Sequence, residues 1–339
     1  MEKLEFAELI SICIPVFNGE QYLHESITSS CEQDYERIEI VICDDCSSDS
    51  SWQIIQTLAL KDSRIRAFRN KQNLGLVGNW NACLKKVKDG WVQFMFQDDF
   101  FTSSTSVRKA IKSAQSVGSE IILFDRNYVF SNGIAVTRKT ALNFKLPKLS
   151  KFIRHGGLKY GHEIICEFLG TFKFQNFMGE PIAGSFKLSV LKNTDLFDER
   201  LASLCDFDFW LRLCSNNGWT FLPQPLVNFR VHERSQSSGH IETSVELIDK
   251  IYLLKKILLN KDYKLIKSYL KEQHLDEDIL YSVKNEIEAA YLLRPDIYNE
   301  VITNPWLLNQ DISALLPRKS IKLKLKKAIN IVLTSLSNR

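Results

Sequence analysis

Carboxylates and amides gather at the places in this sequence where apolar runs stop. Asn18 and Glu20 follow the run 9–16, Asp44, Asp45 and Asp49 follow 38–43, and Gln97, Asp98 and Asp99 follow 91–96. Further on, Asp206 and Asp208 open an amphipathic stretch, and Arg230 and His232 close the apolar segment 226–229. A single acidic loop is a helix cap or a solvated turn. Three clusters at the same end of one sheet exceed what caps require, because adjacent carboxylates repel unless a cation or a donor-rich ligand lies between them. Cys43 and Cys46 form the sole CxxC of the eight cysteines, with two aspartates between the sulfurs and no second pair to complete a zinc ribbon. The thiols read as buried side chains of a reducing compartment.

The runs that carry these clusters alternate between two periods. Residues 9–16, 38–43, 65–69, 91–96 and 120–124 read as strands, and 20–32, the stretch after Asp49–Ser50, and 77–88 as helices. Strands that are apolar throughout and alternate with helices predict a parallel sheet covered on both faces, whose ligands bind at the carboxyl ends of the strands. Residues 131–180 read as loops around a helix near 161–169, and 183–191 as a return to the sheet. Pro223 and Pro225 break the pattern before 226–231, and from about 240 it is helical, interrupted at Pro295, Pro305 and Pro317.

Composition excludes several classes. The 339 residues suit two domains or one α/β domain with an extension, and 45% hydrophobic with 25% charged residues is ordinary for a globular chain. A net charge of +4 is too near neutral for a general nucleic-acid binder. No run approaches the ~18–20 apolar residues of a membrane span. The opening Met1-Glu2-Lys3-Leu4-Glu5 lacks the apolar stretch of a signal peptide, so the expectation is a cytoplasmic protein.

In order, Pro15-Val16-Phe17-Asn18-Gly19-Glu20, Gln33, Val41-Ile42-Cys43-Asp44-Asp45, Asn73-Leu74-Gly75, Asn79-Trp80-Asn81, Phe96-Gln97-Asp98-Asp99, Cys205-Asp206 and Phe229-Arg230-Val231-His232 resemble the motif series of the family 2 glycosyltransferases. The resemblance runs from about 10 to about 236. It implies an A-type glycosyltransferase fold: a Rossmann-like mixed, mostly parallel sheet with helices on both faces, here with a C-terminal helical extension. The catalytic domain would be 1–239, with a nucleotide-binding half of about 1–125 and an acceptor half of about 126–239. Residues 240–339 would be the helical C-terminal region.

The resemblance also implies site roles. Pro15, Phe17, Asn18, Glu20, Asp45, Asn81, Asp98 and Arg230 would surround a UDP-, dTDP- or GDP-sugar. Phe17 would stack on the base and Asp45 accept an N–H from its edge, which favours a uracil, thymine or guanine ring. Asp99 would ligate Mg²⁺ or Mn²⁺, with Asp98 on the ribose hydroxyl or an outer-shell water, and His232 a further ligand or a diphosphate donor. Arg230 suits a phosphate contact. Asp206 would be the general base for an acceptor hydroxyl, with inversion as the outcome and Asp208 the fallback. Trp210 and Arg212 read as packing and surface features. Two positions depart from the family pattern: Phe96 stands where another acid precedes Asp98, and Cys205 where a Glu precedes Asp206, removing a charge that would raise the base's pKa.

Other readings fit less well. A receiver domain places its acidic pair after the first strand, a haloacid-type phosphatase needs an Asp-x-Asp-x-Thr-like order, and a nucleotidyltransferase opens on a basic Gly-rich loop. The remaining alternative is a sugar-nucleotide-binding scaffold that has lost catalysis, motivated by Phe96 and Cys205. After Asp311 the chain has seven basic residues and no acid, and Ile321, Leu325, Ala328, Ile329, Val332 and Leu336 share one helical face. Such a basic amphipathic tail, 317–339, suits an anionic membrane surface and a peripheral place on the inner face of the plasma membrane. The acceptor would then be a saccharide or lipid-linked sugar in bacterial surface-polysaccharide or glycolipid assembly.

Overall fold

β-Branched residues crowd the first strands, and their alternation decides which face each side chain joins. In the computed structural model, which describes residues 8–131, 149–151, 153–172, 176–232 and 244–273, β1 (Ile10–Val16) and β2 (Ile38–Asp44) are buried on both faces. Ile10, Ile12, Ile14, Ile40 and Ile42 point to one hydrophobic cluster, and Cys13, Val41 and Cys43 to another. The first cluster is covered by α1 (Leu23–Cys31), α2 (Ser51–Ala59) and α4 (Ser106–Ser116). The second is covered by α3 (Gly75–Leu84), α5 (His162–Phe172), α6 (Cys205–Asn217), α7 (Ser244–Leu259) and α8 (Lys264–Glu272).

The other strands are β3 (Ile65–Arg69), β4 (Trp91–Phe94), β5 (Phe100–Phe101), β6 (Ile121–Phe130), β7 (Lys159–Tyr160), β8 (Gly184–Lys187) and β9 (Trp219–Val231). They form one sheet in the order β3-β2-β1-β4-β8-β6-β9-β5, with β7 added on β9. The expected mixed α/β architecture is present. Strands β3-β2-β1-β4 pair in parallel, while β8 runs antiparallel to both β4 and β6. β9 then returns parallel to β6.

Two sequence expectations are corrected. The strand expected over 91–96 stops at Phe94, although the Met95 N–H still donates to Cys13 O at 2.9 Å. Pro223 and Pro225 lie within β9, where the β6 register shifts between Phe124 and Arg126; residues that lack an N–H fit where the ladder is already interrupted. Residues on both sides of 239 share one hydrophobic cluster, in which Ile251, Leu253, Leu254, Ile257, Tyr263 and Ile266 join Phe207, Leu211 and Trp210. Residues 274–339, including the basic tail 317–339, lie outside the described residues.

Polar side chains tie α7 to the start of α6. Asp249 Oδ2 accepts the N–H groups of Ser203 at 2.6 Å and Leu204 at 2.9 Å, capping a helix whose own N-cap residue offers no side-chain acceptor. One turn on, Asp208 is fully buried and meets Arg212 at 2.9 Å, Lys256 at 2.7 Å and the Tyr263 hydroxyl at 2.6 Å. Lys256 also reaches Asp198 at 2.8 Å. Arg212, expected on the surface, is fully buried and donates to the carbonyls of Asp195 and Leu196 as well.

Removing one member of a buried ion network leaves the others desolvated and unpaired. Asp208→Ala is expected to lower the unfolding free energy by about 3–5 kcal/mol in urea titrations followed by circular dichroism. Lys192→Ala on the exposed surface should leave the midpoint unchanged.

Candidate active site

The loops after β1 and β2 are laced together by short polar side chains. Asn18 N–H donates to Ser47 Oγ at 3.0 Å, Gly19 N–H to Ser51 Oγ at 2.8 Å, and Glu20 N–H to Asp49 Oδ2 at 3.1 Å. In return Ser48 N–H donates to Asn18 Oδ1 and Ser50 N–H to Glu20 Oε2, both at 2.9 Å. Asn18 and Glu20, expected to contact a donor, therefore use side-chain oxygens to hold this loop pair together. Pro15 is buried inside β1, opposite Cys43.

Phe17 stands out from this lacing with 44% of its surface exposed. Its backbone is fixed across 80 residues by Gln97, whose Oε1 accepts the Phe17 N–H at 2.8 Å while Nε2 donates to the Phe17 carbonyl at 3.1 Å. A Cβ on Gly19 would sit 2.5 Å from Gln97 Oε1, so glycine is required there for the clamp to close. Sequence reasoning missed Gln97 as the clamp, and its place beside the acidic pair was the one available signal.

Asp45 is buried at the end of β2 and accepts three donors from the β3–α3 segment. Oδ1 takes Asn70 Nδ2 and the Leu74 N–H, each at 2.8 Å, and Oδ2 takes the Gly75 N–H at 3.0 Å. It shapes the loop beside Phe17, and Oδ2 keeps acceptor capacity. Asn81 lies elsewhere: its Nδ2 donates to Phe197 O at 2.9 Å and to Glu199, and its Oδ1 accepts the Phe197 N–H. It is a buried brace between α3 and the 197–199 loop. Phe96 stacks on Trp80 with ring centroids 5.0 Å apart, so the position where the family carries an acid is occupied by core packing.

The short β5–β9 pairing brings Asp98 and Asp99 against Arg230. Asp99 Oδ1 accepts the Arg230 backbone N–H at 2.7 Å, and Asp98 O accepts Arg230 Nε at 2.9 Å. Asp99 is 1% exposed, and its Oδ2 has no hydrogen-bond partner. Burial, then the neighbouring Asp98 charge, holds the Asp99 carboxyl well above the usual carboxylate range. An orphaned buried carboxylate oxygen of this kind fits a hard divalent cation, which would relieve both causes. Among the described residues no group of three His, Cys, Asp or Glu side chains converges on one point, so such an ion would complete its shell with water and ligand phosphate.

His232 Nε2 lies 2.9 Å from Asp98 Oδ2, and its ring packs 4.9 Å from Tyr22. This nitrogen is engaged by Asp98 rather than open to a metal. The Arg230 guanidinium lies over the rings of Tyr22 and Phe100 and binds Glu25 at 2.5 Å. In this geometry it clamps α1 to the acidic turn, a different arrangement from an open phosphate fork.

Asp206 sits 9% exposed in the first turn of α6. Oδ2 accepts Asn176 Nδ2 at 3.0 Å and Oδ1 the Phe207 N–H at 2.7 Å. Burial, reinforced by the charge of Glu180, pushes its carboxyl up to about 7. The charge missing at Cys205 was expected to leave this group less raised; burial and Glu180 supply the shift. Asp208, the fallback, is enclosed by Arg212, Lys256 and Tyr263 and faces the core, which removes it from the site. Asn176, Glu180 and Glu180's partner Arg126 were not foreseen, because they lie in and beside the least patterned stretch of the chain.

The CxxC is likewise no unit: Cys43 is buried in β2, Cys46 is exposed at φ 63°, and all eight cysteines are free. No described helix is long and apolar enough to cross a membrane.

Residues 11–177 match the family model described as Glycosyl transferase family 2. The chain is 35% identical over 194 residues to the Campylobacter jejuni GalNAc(5)-diNAcBac-PP-undecaprenol beta-1,3-glucosyltransferase, covering 56% of this chain and 55% of that protein. It is 32% identical over 131 residues to the Escherichia coli UDP-Glc:alpha-D-GlcNAc-diphosphoundecaprenol beta-1,3-glucosyltransferase WfaP, covering 38% of this chain and 50% of that one. The chain thus spans about half the length of these two relatives. The fold is similar to that of S. aureus TarS 1–349 in complex with UDP-GlcNAc, with a TM-score of 0.60, 18% identity, and 87% and 89% of the two chains covered. It is also similar to the mannosyltransferase PcManGT from Pyrobaculum calidifontis in complex with GDP-Man and Mn²⁺, with a TM-score of 0.54, 13% identity, and 90% and 82% covered.

A carboxyl pKa near 7 has a consequence for stability. The folded state holds the Asp206 proton more tightly than the unfolded chain, where an Asp titrates near about 3.9. Its ionisation therefore costs stability as pH rises from about 4 through about 7. Between pH 4 and pH 8, wild type should lose on the order of 3–4 kcal/mol relative to Asp206→Asn in parallel urea titrations. Because the loss is a difference between two pH values, the hydrogen bond altered by the amide cancels.

Proposed function

The chain belongs to the family 2 glycosyltransferases, and we propose that it transfers a sugar, with inversion, from a nucleotide diphosphate to an acceptor hydroxyl. The observation that carries this reading is a pair of carboxylates with opposite tasks. Asp99 has a buried oxygen without a partner, Asp206 is half-ionised near neutral pH, and Glu180 is within electrostatic reach of both. A base of this strength can take a proton from a hydroxyl at neutral pH while the sugar carbon is attacked from the face opposite the leaving group.

Phe17 offers its exposed ring to the donor base, and Asp45 keeps one lone pair for the base edge while its other bonds shape the wall of that pocket. Asp99 would hold Mg²⁺ or Mn²⁺, with Asp98 and its partner His232 alongside; when bound, such an ion supplies positive charge to the departing diphosphate. Arg230 fixes the turn that carries both acids. A relative that acts on a diphosphoundecaprenol-linked sugar, together with the basic tail 317–339, supports a lipid-linked acceptor presented at an anionic surface. The division into a nucleotide half of about 1–125 and an acceptor half of about 126–239 is part of this proposal. A catalytically inert scaffold is disfavoured, because it has no use for a buried base poised near 7.

Two outcomes test the assignment with a panel of UDP-, dTDP- and GDP-sugars. Asp99→Asn should abolish transfer and Mn²⁺-dependent hydrolysis of the donor with the circular dichroism spectrum unchanged. Wild-type rates across a Mn²⁺ titration would overturn the metal role. Asp206→Asn should lower kcat by about 10²–10⁴-fold with calorimetric binding of the free nucleotide intact, whereas Asp45→Asn should weaken that binding. The reverse pattern would exchange the two roles.

A further inference from the structure

The loop entering the short turn at 181–183 is built around the base. Asn176 Oδ1 accepts the N–H groups of Met178 at 3.1 Å and Gly179 at 3.0 Å, which obliges its Nδ2 to face Asp206. Gly179 has φ 93°, and a Cβ there would lie 2.8 Å from Arg126 Nη1, so the turn is shaped to let that guanidinium pass. Arg126, on β6, is 3% exposed, pairs with Glu180 and lies 5.6 Å over the Tyr128 ring. One turn therefore holds the amide bonded to Asp206 and, at Glu180, the half-buried carboxylate that pairs with the buried Arg126 guanidinium.

We propose that the Asn176–Glu180 turn, pinned by Arg126, is the positioning device of the Asp206 base, with Glu180 replacing in space the carboxylate that this sequence lacks at Cys205. The inference rests on Asp206 being the base. Neither Glu180 nor Arg126 is a catalytic residue; both act through Asp206.

The charged and titratable groups around Asp206 are few. Glu180 disfavours its ionised form and Arg126 favours it. On its own helix it neighbours Cys205, a buried thiol, and Asp208, which is neutralised by Arg212 and Lys256. From α7, Asp249 is engaged by the N–H groups of Ser203 and Leu204. Burial raises the proton affinity of the base most, and the balance of Glu180 against Arg126 adjusts it; Asp99 feels Glu180 too.

The free full-length enzyme, labelled with ¹³C at aspartate carboxyls, tests this by NMR titration without any acceptor. Wild type should show a carboxyl titrating near 7 that is absent from Asp206→Asn. Glu180→Gln should move that midpoint down by roughly one pH unit or more, and Arg126→Gln should move it up. A midpoint unmoved or raised in Glu180→Gln overturns the inference while leaving the base in place. If no such carboxyl vanishes in Asp206→Asn, the assignment of Asp206 itself falls. Should Glu180→Gln and Glu180→Ala both fail to fold, the pair is a structural brace and the inference is overturned as well.

Discussion

A carboxyl group taken into a protein interior must be met by donors, and in this chain the donors come from far along the sequence. Asp45 draws the β3–α3 segment to the end of β2, Asp99 draws the end of β9 to the turn after β4, and Asp206 draws the 176–179 turn to the start of α6. Asp208 draws α7 and the segment before α8 onto the same helix. The four differ in what is left over. Asp208 is closed by two cations and a hydroxyl, whereas Asp45 and Asp99 keep an acceptor position and Asp206 keeps its proton near neutrality. That contrast separates scaffold from site more sharply than acidity does.

The sheet geometry follows from the same need. β8 enters between β4 and β6 in the opposite sense, which lets the chain from the turn at Asn176 run past Arg126 before it joins the sheet. β5 has only two residues, yet its pairing with Asn228 and Val227 sets Asp98 and Asp99 beside Arg230.

Strands β1, β2 and β3 were legible because an unbroken apolar run ended by polar residues has few other solutions, and the acidic and amide clusters lie after β1, β2 and β4. β5 was too short to leave a pattern, and β9 was masked by two prolines that the register shift absorbs. The backbone bonds of Asn18, Glu20 and Asn81 were not legible, because a short polar side chain that satisfies a backbone N–H has the same sequence signature as one that meets a substrate. Arg212 read as a surface feature of its helix; only Lys256 and Tyr263, far along the chain, make the position interior. Glu180 had no pattern to betray it, since its meaning lies in a neighbour on β6.

The cap and ion network that join α6 to α7 impose an order on synthesis. The ribosome makes Ser203, Leu204 and Asp208 before it makes Asp249 and Lys256, which satisfy them. At ~5–20 residues per second the nascent chain carries the unfinished helix for several seconds, with Asp208 matched only by Arg212. The helix that bears Asp206 is thus among the last parts of the sheet's neighbourhood to settle, so a truncated or stalled translation product would hold strands β1–β4 without a settled helix around Asp206.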